Sequence, residues 1–375
     1  MTVYLDCNAT TPLEPEVIDI MKKYLCDEFA NAGSRTHEFG NIAKAAVEQA
    51  REKVGLVVGA DKSDVIFTSG ATEANNIAIL GLEAFAVASE KMHIITTTIE
   101  HKAVLEPIAH LEQKGFDVTY LEPEPDGRIS PLDLAAALRA DTCLVSIMHV
   151  NNETGAIQPL SECVDVLKAH DAYFHVDAAQ SYGKEVDVLK NPRIDLISCS
   201  AHKVYGPKGV GALINRRRKY KRVPLSPILF GGGQERGLRP GTLPVHQIAG
   251  FGVAAELALK HYKNRTVRCE QIKQDAMSAL EVLSPNYHGQ EYAIASTLNF
   301  SIEGVNSEAA IVALKGIIAV SNGSACTSSS YSPSHVLEAM KLTEDEVEGA
   351  LRFSWCHLTE TPNWSAVTTA LSRLI

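Results

Sequence analysis

Two side chains in this sequence stand where covalent chemistry needs them. Lys203 lies in "SCSAHKVYGPKGVGAL", between a histidine and a glycine-rich turn and directly after a stretch with the composition of a buried strand. A lysine that reacts through its amine must be positioned in a confined pocket, which a turn at a strand end supplies better than a helix surface. Cys326 lies in "SNGSACTSSS", where seven of its nine neighbours are Ser, Thr or Gly. A structural cysteine normally sits among aliphatic residues. This one sits in a run too small and too polar to wall it off, which predicts an exposed loop.

Taken singly, each has a bland alternative. Small polar loops are common, and "AHK" also fits a surface lysine in a Gly/Pro loop. Asp177 changes the balance. It ends the predicted strand "YFHVDAA" and is followed by Gln180. An aspartate at a strand end can hold a proton on a pyridine nitrogen, and a ring kept cationic in this way makes pyridoxal phosphate an electron sink. Upstream, "FTSGATEANN" predicts a strand, a small-residue turn and a helix, whose first N–H groups and positive dipole end suit a phosphate. Ser200 and His202 flank Lys203 with groups able to bind the same phosphate.

These residues need a scaffold, and the patterning supplies one. The runs "DVIFTSG", "HIITTT", "DVTYLE", "CLVSIMHV", "YFHVDAA", "IDLISCS" and "VGALIN" are short, apolar or β-branched, and separated mostly by helical stretches. Fully buried parallel strands have this look, so the expected fold is α/β with a mainly parallel sheet covered on both faces. A long helical pattern from Pro244 to Leu283 leads to a smaller α+β unit holding "TLNFSIE", "IIAVSNG" and "LRFSW". The expected division is a large cofactor-binding domain over 15–260 and a small domain made of 1–14 plus 261–375, which carries the Cys326 loop.

Composition narrows the class. A net charge of -10 excludes a basic nucleic-acid surface. The basic run "NRRRKYKR" (215–222) is expected to be a solvated turn. The start "MTVYLDCNATTP" has no charged-then-apolar leader, and no apolar run is long enough to span a bilayer, so a cytoplasmic protein is expected. The eight cysteines form no C-x-x-C pair, which predicts reduced thiols and no metal site.

Seven motifs in order, "FTSGATEANN", "TIEHKAVL", "HVNNETG", "YFHVDAAQS", "SAHKVYGPKGVGAL", "GGGQERGLRPGTLPVHQ" and "SNGSACTSSS", resemble the cysteine desulfurases, the NifS/IscS-like group of the class V aminotransferase family. The resemblance implies pyridoxal-phosphate fold type I and conversion of L-cysteine to L-alanine. Lys203 would bond to the cofactor aldehyde and move the substrate α-proton. Cys326 would take the sulfur as a persulfide and deliver it to an acceptor protein. His101 would stack on the ring and act as acid or base. Asp177 would pair with the ring nitrogen and Gln180 with the phenolic oxygen. Asn152 would lie beside cofactor and substrate, and Arg352 would hold the substrate carboxylate. Ala71, Thr72, Ser200 and His202 would cradle the phosphate end, completed by Thr242 from the second subunit of a homodimer.

Departures are few. "SAHK" and "RPGT" replace the commoner "SGHK" and "RSGT", and Cys7 is assigned no role. The chain stops soon after "TALSRLI", without the tail that housekeeping members use to engage an iron–sulfur scaffold. That predicts a dedicated sulfur route, such as sulfur modification of the DNA backbone, with delivery through a partner protein. The alternatives are a selenocysteine lyase or another class V enzyme, or a non-catalytic sulfur-relay scaffold.

Overall fold

The computed structural model describes residues 2–322 and 333–375. Seven strands make the main sheet: β1 (Val65–Thr68), β2 (His93–Thr97), β3 (Asp117–Leu121), β4 (Thr142–Ser146), β5 (Tyr173–Asp177), β6 (Leu196–Ser200) and β7 (Gly211–Asn215), in the spatial order β1-β7-β6-β5-β4-β2-β3. Their neighbours pair in parallel except β7, which is antiparallel to both β1 and β6. The exception has a simple cause. Residues 201–210 join β6 to β7, and a parallel crossover takes roughly a dozen residues or more.

Alternate residues of these strands enter two different cores. Phe67, Val145, Phe174, Val176, Ile197 and Ile214 face one layer, whereas Ile66, Ile94, Leu144, Leu196 and Leu213 face the other. Both faces are therefore dry, as the unbroken apolar runs require. One layer contains helix α1 (Glu38–Val57), which packs on the long α4 (Val245–Leu280). Their contact is close because Gly252 has no side chain: a Cβ there would lie 2.6 Å from the Cα of Ala50. The other layer contains α2 (Ala71–Leu80) and α3 (Lys102–Gln113).

Helix α4 has 36 residues and runs unbroken from one core into another. Ile248, Phe251, Ala255 and Ala258 belong to the main core, while Cys269, Ile272, Ala276 and Leu280 join Leu298, Phe300, Phe353 and Trp355 in a second. That second core lies on a three-stranded antiparallel sheet, β8 (Asn286–Tyr287), β9 (Thr297–Ser301) and β10 (Leu351–Ser354). The first residues of the chain return to this end, where Val3–Tyr4 pairs with Ile318–Ala319 and Asp6 bridges to Ser354.

One local expectation changes in part. The run 215–222 does turn in solvent at Lys219 and Tyr220, but several of its arginines are engaged by the fold. Arg216 is buried and donates to the carbonyls of Asn191, Ile194, Val58 and Leu189. Arg218 binds the buried Asp195 carboxylate, and Arg222 binds Asp64. These guanidiniums close backbone carbonyls left open at strand ends, capacity that charge counting does not register. In the first helix, Pro15–Lys22, the chain widens into a π-turn over Lys23–Asp27. Leu25 lies in this wider turn and is 58% exposed.

The sheet interior also buries imidazoles. His175 hydrogen-bonds Ser146 Oγ at 2.8 Å and Ser198 Oγ at 3.0 Å. Burial pushes the pKa of both His149 and His175 from 6.5 down to about 3. The unfolded chain thus takes up protons below pH 6.5 that the native state refuses. Stability falls with falling pH by about 1.4 kcal/mol per pH unit for each such ring, down to its folded value. Replacing His175→Gln should flatten the pH dependence of urea unfolding between pH 6.5 and 4.5 by about that slope. An unchanged slope would show that His175 is not the buried neutral base described.

Candidate active site

The carboxyl ends of the parallel strands open into one cavity of 690 Å³. Open α/β sheets place their binding crevice at this edge because the helix N-termini and connecting loops converge there. The lining includes Lys203, His101, Ala71, Thr72, Asn152, Asp177, Gln180, Ser200, His202 and Arg352. Ten of the twelve residues singled out from the sequence thus meet in one place. Thr242 does not. It is exposed, at the end of a loop in which Gln234 Oε1 accepts the Gly241 N–H at 2.9 Å. Cys326 lies outside the described residues.

Each side chain is aimed by its element. Asp177 closes β5, 6% exposed, and both carboxylate oxygens are fixed by uncharged donors. Asn75 Nδ2 donates to Oδ2 at 2.7 Å and the Ala179 N–H to Oδ1 at 2.8 Å. A buried carboxylate is costly unless paired, so this one is suited to a cation brought into the cavity. His101 caps α3, its Nδ1 accepting the Ala103 N–H at 3.0 Å, so the neutral ring carries its proton on Nε2. Lys203 follows β6, and its Nζ donates to the carbonyls of Asn8 and, at 2.9 Å, Ala9. Gln180 Nε2 donates to the same Asn8 carbonyl at 2.9 Å.

The opposite end of the cavity is built for an anion. Helix α2 begins at Ala71 with no side-chain cap at Gly70, so its first N–H groups point at the cavity end rather than at a local acceptor. Gly70 is passed closely by β7, where a Cβ on Gly211 would lie 2.6 Å from the Gly70 Cα. Ser200, His202 and Lys208 surround this point. Burial is the main cause that lowers the His202 pKa to about 4, with Lys203 and Lys208 adding to it, so the ring is neutral near pH 7. Its Nδ1 lies 3.3 Å from Thr10 Oγ1. The cavity wall also holds Arg352 on β10, whose guanidinium donates to Asp6 Oδ1 at 2.6 Å and to the Asn152 carbonyl at 3.0 Å.

Several residues here escaped the sequence reading. Asn75 sits inside "ATEANN" and looks like a helix surface position. Asn8 and Asp6 lie in the noted stretch "LDCNATT" but show no partner until the chain folds. Lys208, in "GPKG", lines the cavity without having been singled out.

Comparison with known proteins agrees with this geometry. The class-V aminotransferase model matches residues 3–363. The chain belongs to that family. It is 46% identical over 362 residues to the cysteine desulfurase IscS of Tolumonas auensis, covering 94% of this chain and 88% of that protein. Among solved structures, a NifS-like protein superposes with TM-score 0.90 at 35% identity, covering 100% of this chain and 98% of the other. DndA from Streptomyces lividans is 48% identical with TM-score 0.82, covering 94% and 99%. SspA in complex with cysteine is 40% identical with TM-score 0.83, covering 94% and 98%.

The cofactor of this family is pyridoxal 5′-phosphate, and the cavity fits it. It offers an anion site at one end and a carboxylate at the other, with Lys203 held by the adjacent carbonyls of Asn8 and Ala9. Asn75 Oδ1 and Gln180 Oε1 are buried without a hydrogen-bond partner among the described residues, polar capacity that a bound ring system can use. Asn75→Ala tests the orientation of Asp177. A hydrogen bond to a charged group is worth about 1.5–3 kcal/mol, so absorbance titration of the apoprotein should show cofactor affinity lowered about tenfold to hundredfold. Unchanged affinity would mean that Asp177 does not depend on Asn75 to meet the ring.

Proposed function

We infer that Cys326 carries the sulfur of L-cysteine away from this cavity as a persulfide. The chain is a pyridoxal-phosphate-dependent cysteine desulfurase, which turns L-cysteine into L-alanine and transfers the sulfur. One observation carries the assignment of Cys326: both flanks of residues 323–332 are tied to the cavity wall. The Arg352 N–H donates to the Ser321 carbonyl at 2.7 Å, and Ser334 Oγ donates to Glu153 Oε2 at 2.5 Å. His335 Nε2 meets the carbonyl of Glu100, the residue before His101, at 3.0 Å. Cys326 is five residues beyond Ser321, a reach of at most about 18 Å. That reach matches the cavity scale.

The residues divide the work by position. Lys203 and Asp177 hold the reactive and ring-nitrogen ends of the cofactor, and Ala71, Thr72, Ser200 and His202 hold its phosphate. When bound there, pyridoxal phosphate supplies the electron sink that lets the substrate Cα give up and regain a proton. Lys203 moves that proton through its Nζ. His101 exchanges a proton through Nε2, the nitrogen left by its capping bond. Arg352 turns its fork to the substrate carboxylate in place of Asp6, and Asn152 stands beside it. The Cys326 thiolate then attacks the substrate sulfur. The carbon–sulfur bond breaks, its electrons stay with the carbon, and that carbon takes a proton to become the methyl of alanine.

Two copies form the working unit, with Thr242 reaching the phosphate of the partner's site. Its exposure and the anchoring of its loop by the ion pairs Arg51–Glu235 and Arg239–Glu73 support this role. The persulfide goes to an acceptor protein of a dedicated route, sulfur modification of the DNA backbone, a reading supported by the likeness to DndA. The acidic charge makes a partner protein, rather than this chain, the DNA-contacting member.

Incubation with L-cysteine tests the carrier. For Cys326→Ala, protein-bound persulfide should vanish and sulfide release should fall at least about 100-fold, while the cofactor spectrum persists. Wild-type sulfide release from this variant would sink the assignment. Arg352→Lys should raise KM for L-cysteine about tenfold or more with a smaller change in kcat, since an ammonium cannot grip a carboxylate bidentately. An unaltered KM would place the carboxylate elsewhere.

A further inference from the structure

A second cavity, of 440 Å³, holds two cysteines that the reaction does not use. Cys7 and Cys356 both line it, together with Tyr4, Pro12 and Thr359. The backbone explains their meeting. The Ser354 N–H donates to the Leu5 carbonyl at 2.8 Å, the Cys7 N–H to the Ser354 carbonyl at 3.0 Å, and the Asn8 N–H to Ser354 Oγ at 2.9 Å. Asp6 and Ser354 are thereby partners in a parallel bridge. Cys7 is one residue beyond that bridge and Cys356 two, so the pairing brings both cysteines to the wall of one cavity. A disulfide needs such proximity, with Cα atoms no more than about 7 Å apart.

The two thiols line the same cavity and lie close enough to act on each other electrostatically. Thr359 Oγ1 also donates to Cys356 Sγ, at 3.6 Å, and accepts the Cys356 N–H at 2.9 Å. These donors hold the Cys356 thiol below its ordinary pKa, with the Cys7 hydrogen bond the largest cause, while Cys7 is pushed up. The amine of the buried Lys184 also acts electrostatically on both. The Thr359 hydroxyl donating to its sulfur marks Cys356 as the nucleophile of the pair and Cys7 as its resolving partner.

We propose that Cys7 and Cys356 are a dithiol that hydrogen peroxide closes into a disulfide, separate from the sulfur-carrying Cys326. Cys356 sulfur attacks one peroxide oxygen, the O–O bond breaks, and hydroxide leaves and is protonated to water. The Cys7 thiol then attacks the resulting sulfenic sulfur, the S–O bond breaks, and a second water leaves with the Cys7 proton. Two thiols lose two electrons, and one peroxide becomes two waters. The new bond ties the segment bearing Asp6 and Asn8 to the end of β10 bearing Arg352.

The test uses the cofactor-loaded Cys326→Ser protein, treated with hydrogen peroxide, alkylated, and digested without reductant. Mass spectrometry should find the Cys7 peptide joined to the Cys356 peptide, about 2 Da lighter than the sum of the reduced pair, and dithiothreitol should separate them. Recovery of both as alkylated thiols, at peroxide doses that oxidise the exposed Cys26, would overturn the proposal. A second variant, Cys7→Ser in the same background, removes the resolving thiol. Cys356 should then accumulate as a dimedone adduct, and a Cys356 that resists both linkage and trapping would equally refute it.

Discussion

The active site depends on holding one negative charge in a nearly dry place. Asp177 ends a central strand, where leaving water is costly for a carboxylate, and its hydrogen bonds come from an amide side chain and a backbone N–H. Neutral donors fix its direction without neutralising it, which is the arrangement the proposed pairing with the cofactor ring would use. The same logic orders its surroundings. The phosphate end must be positive, and the structure meets it with a helix N-terminus, a lysine and a neutral histidine. The cavity is polarised from end to end by elements that the sheet places a strand or two apart.

A second dependence runs through the first ten residues. The Asn8 carbonyl receives both Lys203 Nζ and Gln180 Nε2, and Asn8 Nδ2 donates to Thr297 Oγ1 at 3.0 Å and to the Asn152 carbonyl at 3.1 Å. Asp6, two residues earlier, holds Arg352. One extended segment therefore joins Lys203, which follows β6, to Arg352 on β10, the two residues proposed to react with the cofactor and to hold the substrate. A shift of that segment would move both ends of the reaction together. This coupling is why contacts near Cys7 bear on chemistry that Cys7 does not perform.

Legibility from sequence followed the range of the interaction. Strands whose two faces are both buried announce themselves as continuous apolar runs, and Lys203 and Asp177 sit at their ends, where local pattern singles them out; His101 needed the family resemblance. Asn75 pairs with Asp177 across 102 positions and Asp6 with Arg352 across 346, and nothing within either segment points to the other. Arg216 is the clearest failure of local reading. Its four partners are backbone carbonyls. Carbonyls carry no residue identity, so a buried guanidinium satisfied by them looks like any other member of a basic run. The antiparallel β7 was likewise hidden in a connection length rather than in the strand's composition.

The anchors beside residues 323–332 add a constraint on how substrate and sulfur carrier are related. Ser321 is hydrogen-bonded to the backbone of Arg352, and Ser334 to the side chain of Glu153, the neighbour of Asn152. The two residues proposed to meet the substrate are thus the attachment points, or next to the attachment points, of the stretch that carries Cys326. On the proposed roles, the carrier stretch and the substrate would be anchored by the same part of the fold, which favours their meeting. On the same proposal, an acceptor protein would collect the sulfur on the side of the molecule that holds Arg352 and Glu153. Delivery geometry and substrate geometry are in this sense one problem, set by the end of β10 and the turn after β4.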